Sequence, residues 1–249
     1  MQNKNIIITG ASSGIGADIL RLAAEKGNKI FAVARNIDKI PALPGVKAFS
    51  CDVSVKENID KMFDAAKDYL GEIDYFFANA GFAYYEIIKN ADWQHNEAIF
   101  NTNVFSVFYS IQKLKEIKKD KAFNFIVTAS AISHLPYPGF ALYSATKFAL
   151  RGFADAYRYE LAPSQKLTMV YPVATYTQFF NVASADAMPW PRQKSITVAK
   201  AALRGAENGK KHVYPSCLFR MGMFLNGIFP VYRMVQMMEG EKLRKKYNL

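Results

Sequence analysis

The sequence predicts an α/β fold in which consecutive βαβ units build a parallel sheet. Three observations predict it. Short β-branched or aromatic runs alternate with helical periodicity along most of the chain. A glycine-rich turn joins the first such strand to the first helix, and polar residues recur where strands should end.

Asn5-Ile6-Ile7-Ile8-Thr9 is an apolar run suited to a strand buried on both faces. Gly10-Ala11-Ser12-Ser13-Gly14-Ile15-Gly16 follows at once, and residues 17–26 then carry Leu20, Ala23 and Ala24 on one helical face. Strand, glycine turn and helix form the setting of a dinucleotide-binding turn. Glycine lets backbone N–H groups approach a pyrophosphate, and the helix N-terminus favours its charge. Residues 29–34, 46–51 and 73–78 read as the second to fourth strands. Residues 123–129 and 167–171 read as the fifth and sixth, and 211–214 as a shorter seventh. Helical patterns occupy 55–69, 98–117, 140–161 and 198–207. Thr9, Ala34, Asp52, Asn79 and Ser130 fall at or just after strand ends. Ligands of such sheets bind at the carboxyl ends, so chemistry is expected along one edge.

Tyr143 and Lys147 stand four residues apart on one helix, with Ser130 thirteen residues before Tyr143. An ammonium beside a phenol favours phenolate, so the Tyr143 pKa is expected to fall below its ordinary value of about 10. A hydroxyl at a neighbouring strand end could hold a substrate oxygen against that phenol.

Taken together, Thr9-Gly10-x-x-x-Gly14-Ile15-Gly16, Asn79-Ala80-Gly81, Ser130 and Tyr143-x-x-x-Lys147 resemble, in this order, the short-chain dehydrogenase/reductase family in its single-domain branch. The resemblance runs from residue 4 to about residue 177. It implies a Rossmann-type, doubly wound three-layer sandwich with a parallel sheet of about seven strands. It also implies nicotinamide-dependent interconversion of a carbonyl and an alcohol. Tyr143 would then be the acid that protonates the carbonyl oxygen. Lys147 would hold the phenol pKa down and bond the nicotinamide ribose, and Ser130 would bond the same substrate oxygen. Asn103 matches the family's helical Asn, which holds a water that passes protons to the Lys; Asn101 is a register alternative, disfavoured by the Val-x-x-Val that follows Asn103.

The same resemblance assigns Gly10, Ser12, Ser13, Gly14, Ile15 and Gly16 to the cofactor's phosphates, and Asp52 and the Val53 N–H to its adenine. Asn79, Ala80, Gly81, Pro172, Thr175 and Thr177 complete the cofactor set. Strand two ends Ala34-Arg35-Asn36 without a carboxylate before Asp38, and Arg35 can pair with a 2′-phosphate. NADP(H) is therefore expected, with NAD(H) left open because Ser12 and Ser13 occupy the place of a second basic residue. Two departures stand out: Ala78 replaces the first Asn of Asn-Asn-Ala-Gly, and Val173 replaces a Gly after strand six. Val173 keeps a different class in view, an idle dinucleotide-binding regulator or scaffold.

With 249 residues, 51% of them hydrophobic, and no linker or repeat, one domain over 1–249 is expected. Residues 178–197 read as a lid and 216–249 as a hydrophobic, basic extension. Cys51 and Cys217 both read as buried in a reducing cytoplasm, and His95, His134 and His212 form no cluster for a metal. The first strand starts within four residues of Met1, leaving no room for a signal peptide. Net charge is +11, and from Trp190 onward twelve Lys/Arg face three Glu. Without interleaved stacking aromatics this does not point to nucleic acid. Residues 217–238 are apolar but interrupted by Arg220, Asn226, Pro230 and Arg233, so they do not span a bilayer. They either pack on the domain or a partner subunit, the favoured reading, or lie on a membrane surface. Phe82, Ile132, Leu135, Tyr137, Phe140, Phe179, Phe180, Met188 and Trp190 are candidate walls for a small hydrophobic substrate. The resemblance also implies a homo-dimer or homo-tetramer.

Overall fold

The computed structural model describes residues 1–179 and 189–248. Seven parallel strands form its central sheet: β1 (Asn5–Thr9), β2 (Lys29–Ala34), β3 (Val46–Ser50), β4 (Tyr75–Ala78), β5 (Phe123–Thr128), β6 (Gln165–Val170) and β9 (His212–Val213). Their order is β3-β2-β1-β4-β5-β6-β9, so the direction of winding reverses between β1 and β4. That reversal opens a crevice at the carboxyl ends of β1 and β4.

The apolar strands are buried on both faces, and alternate residues serve opposite layers. Ile7, Phe31, Phe76 and Phe125 pack against α2 (Lys56–Leu70), α4 (Ser106–Lys118) and α5 (Ala141–Tyr157). Ile6, Ile8, Ile30 and Phe77 pack on the other side against α1 (Gly14–Ala24) and α6 (Ser195–Glu207). Each such side chain contributes about 1.5–3 kcal/mol. The layers are therefore helix, sheet and helix, a doubly wound sandwich.

Four local features differ from expectation. The helix read over 98–117 begins earlier, as α3 (Trp93–Phe100), because the Asp92 Oδ1 accepts the His95 N–H at 2.9 Å and caps it. Between α3 and α4 the chain widens into a π-helical turn, Asn101–Phe105. There the Ser106 N–H reaches back to the Asn101 carbonyl, while the Ser106 hydroxyl donates to the Thr102 carbonyl at 2.6 Å. The helix read over 140–161 stops at Tyr157 and tightens into a 3-10 turn, Arg158–Glu160. A second, two-stranded parallel sheet, β7 (Ala174–Tyr176) with β8 (Arg192–Lys194), is too short to leave a periodic signal.

After β9 come α7 (Cys217–Asn226) and α8 (Val231–Tyr247). Cys51 is buried, but Cys217 is exposed, contrary to expectation, since it opens α7 on that helix's uncovered side. No helix among the described residues is long and apolar enough to cross a membrane.

Candidate active site

The glycine turn is built by close approach. Gly10 and Gly14 hold φ of +66° and +53°, a region that penalises side chains. A Cβ on Gly16 would lie 2.1 Å from the Gly10 carbonyl oxygen. Gly16 therefore sits beneath the turn and does not line the cavity, whereas Gly10, Ser12, Ser13, Gly14 and Ile15 do. Ser13 occupies the N-cap of α1 but gives no side-chain cap, leaving first-turn N–H groups free to meet an anion.

Thr9 and Asn79 lock this turn to the strands beside it. The Thr9 hydroxyl accepts the Asn79 and Ala80 N–H groups at 3.1 and 3.2 Å. The Asn79 amide donates to the Gly10 carbonyl at 3.3 Å, and its oxygen accepts the Thr128 hydroxyl at 3.0 Å. One side chain thus connects β1, β4 and β5 at the crevice.

A continuous cavity of about 560 Å³ starts here, within the ordinary range for small-molecule sites. Arg35 and Lys39 line one end, and among the described residues neither has a carboxylate within salt-bridge distance. Lys39 was not anticipated, because it lies outside the glycine loop and four residues past Arg35, in an irregular connection. Asp52 and Val53 also line the cavity. The Asp52 Oδ1 is held by the Ser54 N–H and hydroxyl at 2.9 and 2.8 Å.

Ser130, Tyr143 and Lys147 meet on the same cavity wall. Ser130 follows β5 and caps a short 3-10 turn, its Oγ accepting the Ile132 N–H at 3.2 Å. Tyr143, in the first turn of α5, forms a hydrogen bond with Ser130. The Lys147 Nζ lies 5.4 Å from the Tyr143 ring centroid and donates to the Thr128 carbonyl at 3.0 Å.

Burial pushes the Tyr143 phenol well above its ordinary range, and the Ser130 hydrogen bond draws it only part of the way back. Burial also lowers the Lys147 ammonium to about 8. The expectation that Lys147 depresses the phenol is thus not met by the protein alone. Removal from water costs each charge more than their proximity returns.

Asn103 lies in the π-helical turn, buried behind Gly81. Its amide donates to the Phe82 carbonyl at 2.8 Å and to the Thr146 hydroxyl at 3.3 Å, and its oxygen accepts the Phe82 N–H at 3.0 Å. Those bonds fix the backbone after Gly81 and commit the Asn103 side chain, which does not line the cavity. Asn101 begins the same turn and does not line it either.

Asn79, Ala80, Gly81, Pro172, Val173, Thr175 and Thr177 line the cavity between its ends. The Pro172 carbonyl accepts the Ala131 N–H at 2.8 Å, tying this segment to the Ser130 turn. Thr175 turns its hydroxyl to the Val173 carbonyl at 2.7 Å, whereas the Thr177 methyl lies directly over Gly14. Beyond Tyr143 the wall is apolar and aromatic: Phe82, Ile132, Leu135, Tyr137, Phe140 and Phe179, with Trp190 at the rim. Phe180 and Met188 lie outside the described residues, as does the rest of 180–188 within the expected lid over 178–197; of the described part, residues 192–194 form β8 and 195–197 open α6. Phe219 and Val235, from α7 and α8, also reach the cavity. The sequence held no signal for them, since two separate helices bring them there.

The uncapped α1 terminus, the glycine cradle and the elongated cavity fit a dinucleotide, with the hydroxyl, phenol and ammonium beside it. No group of three or more His, Cys, Asp or Glu side chains suited to a metal occurs among the described residues.

Comparison with known proteins agrees. The family model for short chain dehydrogenases matches residues 4–188. An uncharacterized oxidoreductase of Listeria monocytogenes is 34% identical over 196 residues, 73% of this chain and 78% of the relative. The 1,2-dihydroxy-1,2-dihydronaphthalene dehydrogenase of Pseudomonas putida is 33% identical over 196 residues, covering 74% and 75%. Among solved structures, a short chain dehydrogenase/reductase from Burkholderia phymatum in complex with NAD superposes with a TM-score of 0.79 at 18% identity, covering 93% of this chain and 92% of that one. A short chain dehydrogenase from Burkholderia cenocepacia in complex with NADP also gives 0.79, at 23% identity, covering 92% and 96%. From its glycine cradle to its Ser130–Tyr143–Lys147 group, and by this match in sequence, the chain belongs to the short chain dehydrogenase family of oxidoreductases.

Proposed function

We propose that this protein is an NADP(H)-dependent oxidoreductase interconverting a hydrophobic ketone, aldehyde or 3-oxoacyl compound and its alcohol. One observation carries the reading. The Tyr143–Ser130 pair opens into a single cavity that also has Arg35 and Lys39 without carboxylate partners and, beyond Tyr143, a wall free of Asp, Glu, Lys and Arg among the described residues.

The cofactor, when bound, donates or accepts the hydride. The glycine turn and the α1 N-terminus receive its phosphates, while Arg35 and Lys39 offer two cations to a 2′-phosphate that NAD(H) lacks. Asp52 and Val53 flank the adenine. In reduction the Tyr143 Oη gives its proton to the carbonyl oxygen, and the Ser130 Oγ hydrogen-bonds that same oxygen as charge develops. Lys147, held near 8 by burial, exchanges protons close to neutral pH and restores the phenol. Asn103 acts as a positioning residue through the Phe82 backbone.

Among the described residues, the lack of Asp, Glu, Lys and Arg on the wall beyond Tyr143 favours a lipophilic carbonyl over a sugar or a small acid. A lid over 178–197 belongs to the same proposal and is supported by Pro189, Trp190 and Pro191 at the cavity. So does pairing into a dimer or tetramer, for which Phe105 and Phe148 offer exposed apolar surface and light scattering gives the test. A cytoplasmic place of action completes it.

The deciding experiment titrates NADPH and NADH by nicotinamide fluorescence, then assays medium-chain ketones, aldehydes and 3-oxoacyl thioesters with Tyr143→Phe as control. Tighter NADPH binding, with turnover lost in the variant, is the expected result. Failure to bind either nucleotide would overturn it.

A further inference from the structure

The α7–α8 pair closes the far end of the cavity with one face and leaves the other bare. Its inner face is well anchored. The Phe219 and Tyr232 rings stack 6.0 Å apart, and the Tyr232 N–H donates to Asn226 Oδ1 at 2.8 Å. The Tyr137 hydroxyl donates to Glu239 at 2.7 Å, and the Lys246 Nζ sits 5.3 Å from the Tyr85 ring centroid. The pair is thus a fixed part of the substrate end.

Its outer face is strongly apolar. On α7 and the turn after it, Met221, Phe224, Leu225, Ile228 and Phe229 are exposed, Phe224 at 72% and Phe229 at 65%. On α8, Met234, Met237 and Met238 are exposed at helical spacing. Isolated exposed apolar residues are ordinary, but a contiguous cluster marks an interaction surface.

Charge selects the occupant. Over residues 217–247 six cations, Arg220, Arg233, Lys242, Arg244, Lys245 and Lys246, accompany only Glu239 and Glu241. Glu239 is already engaged by Tyr137 and Lys242. A twofold contact through this face would bring the same cations together in two copies. An anionic bilayer complements both the apolar cluster and its cations.

The cavity also reaches these helices. Phe219 and Val235 line it, and Val235 is itself exposed, so the apolar wall beyond Tyr143 continues into the apolar face of the pair. We propose that α7 and α8 seat the protein on an anionic phospholipid surface, through which a membrane-dissolved substrate enters the cavity. The entry step rests on the carbonyl-oxidoreductase reading above; the docking step does not.

The test floats full-length protein with phosphatidylcholine vesicles, with and without phosphatidylserine, alongside NADPH titration and light scattering. Binding to the phosphatidylserine vesicles is expected, weakened by salt and by Arg244→Gln/Lys245→Gln. It should fall at least about tenfold in Phe224→Asp/Phe229→Asp, while NADPH affinity is retained. With a ketone dissolved in the vesicles, that double variant should lose about tenfold in rate but match the parent on a short, water-soluble ketone. No flotation of the parent protein overturns the docking, as does a parent dimer that the aspartates convert to monomer without any vesicle binding. Equal losses on both ketones overturn the entry route. A protein that floats yet turns over neither ketone refutes the carbonyl reading and leaves the docking intact.

Discussion

Lys147 donates to the main-chain carbonyl of Thr128 at 3.0 Å, so the last residue of β5 holds the ammonium at the cavity wall. The grip is directional, but it does not replace the lost water, and the ammonium falls to about 8. The unfolded chain binds this proton up to its ordinary value near 10.5, whereas the folded chain releases it from about 8. Lys147 therefore destabilises the fold fully below pH 8, and the penalty fades as pH rises from 8 to 10.5. Lys147→Met should be about 2–3 kcal/mol more stable than the parent at pH 7, with the gain fading across that window, while turnover is lost. Urea unfolding at pH 7, 9 and 10.5 measures it, and a gain independent of pH would refute the assignment.

Arg35 and Lys39 make a separate prediction about cofactor choice. Arg35→Ala/Lys39→Ala should weaken NADPH binding about 10- to 100-fold, roughly 1.4–2.7 kcal/mol, and leave NADH affinity nearly unchanged. Fluorescence titration reads both. Equal weakening for the two nucleotides would place these cations away from the 2′-phosphate.

Gly16 offers a steric test. In Gly16→Ala the new methyl meets the Gly10 carbonyl at 2.1 Å and the Asn79 amide at 2.6 Å, so the turn itself must shift. A cost of about 1–3 kcal/mol in stability is expected, with a loss of affinity for either nucleotide. Gly152, in α5, is the matched control: a Cβ there meets nothing within 4 Å, and Gly152→Ala should gain roughly 0.5–1 kcal/mol. Thermal unfolding with and without nucleotide separates the two effects.

His134 predicts acid sensitivity. Its ring packs edge-on against Tyr171 at 4.6 Å, and its Nε2 is buried without a hydrogen-bond partner among the described residues. Burial, then the nearby Arg151 and His212, lower it from 6.5 to about 4. As pH falls from 6.5 to 4, the unfolded imidazole takes a proton that the folded one resists, so stability declines over that window. The loss should reach about 2 kcal/mol near pH 4 and flatten in His134→Phe. Urea midpoints between pH 4 and 7 check this, and identical slopes for parent and variant would contradict it.

The inner strands β1, β2 and β4 were legible because their apolar runs are buried on both faces and survive without any alternation to interpret. The glycine turn and Tyr143-x-x-x-Lys147 were legible because their chemistry depends on local spacing. Other features had no local signature. The π-helical turn rests on Ser106 bonding two different carbonyls, and β7–β8 on three-residue strands separated along the chain. Lys39 and Val235 reach the cavity only through tertiary placement. The Tyr143 shift escapes the sequence for a related reason: spacing reveals a neighbouring charge but not the loss of water around both groups.

The β7–β8 ladder pairs Ala174 with Arg192, Thr175 with Gln193 and Tyr176 with Lys194, clamping the two ends of residues 177–191 together. A segment whose ends are already joined can be lengthened cheaply, because the entropy of closing a loop grows only slowly with its length. The clamp thus lets the chain between Phe179 and Pro189 change in sequence and length while the sheet register, Thr177 over Gly14 and the Ser130–Tyr143–Lys147 group stay fixed. On the proposed reading of this stretch as a lid, selectivity for substrate can then change without renegotiating the fold.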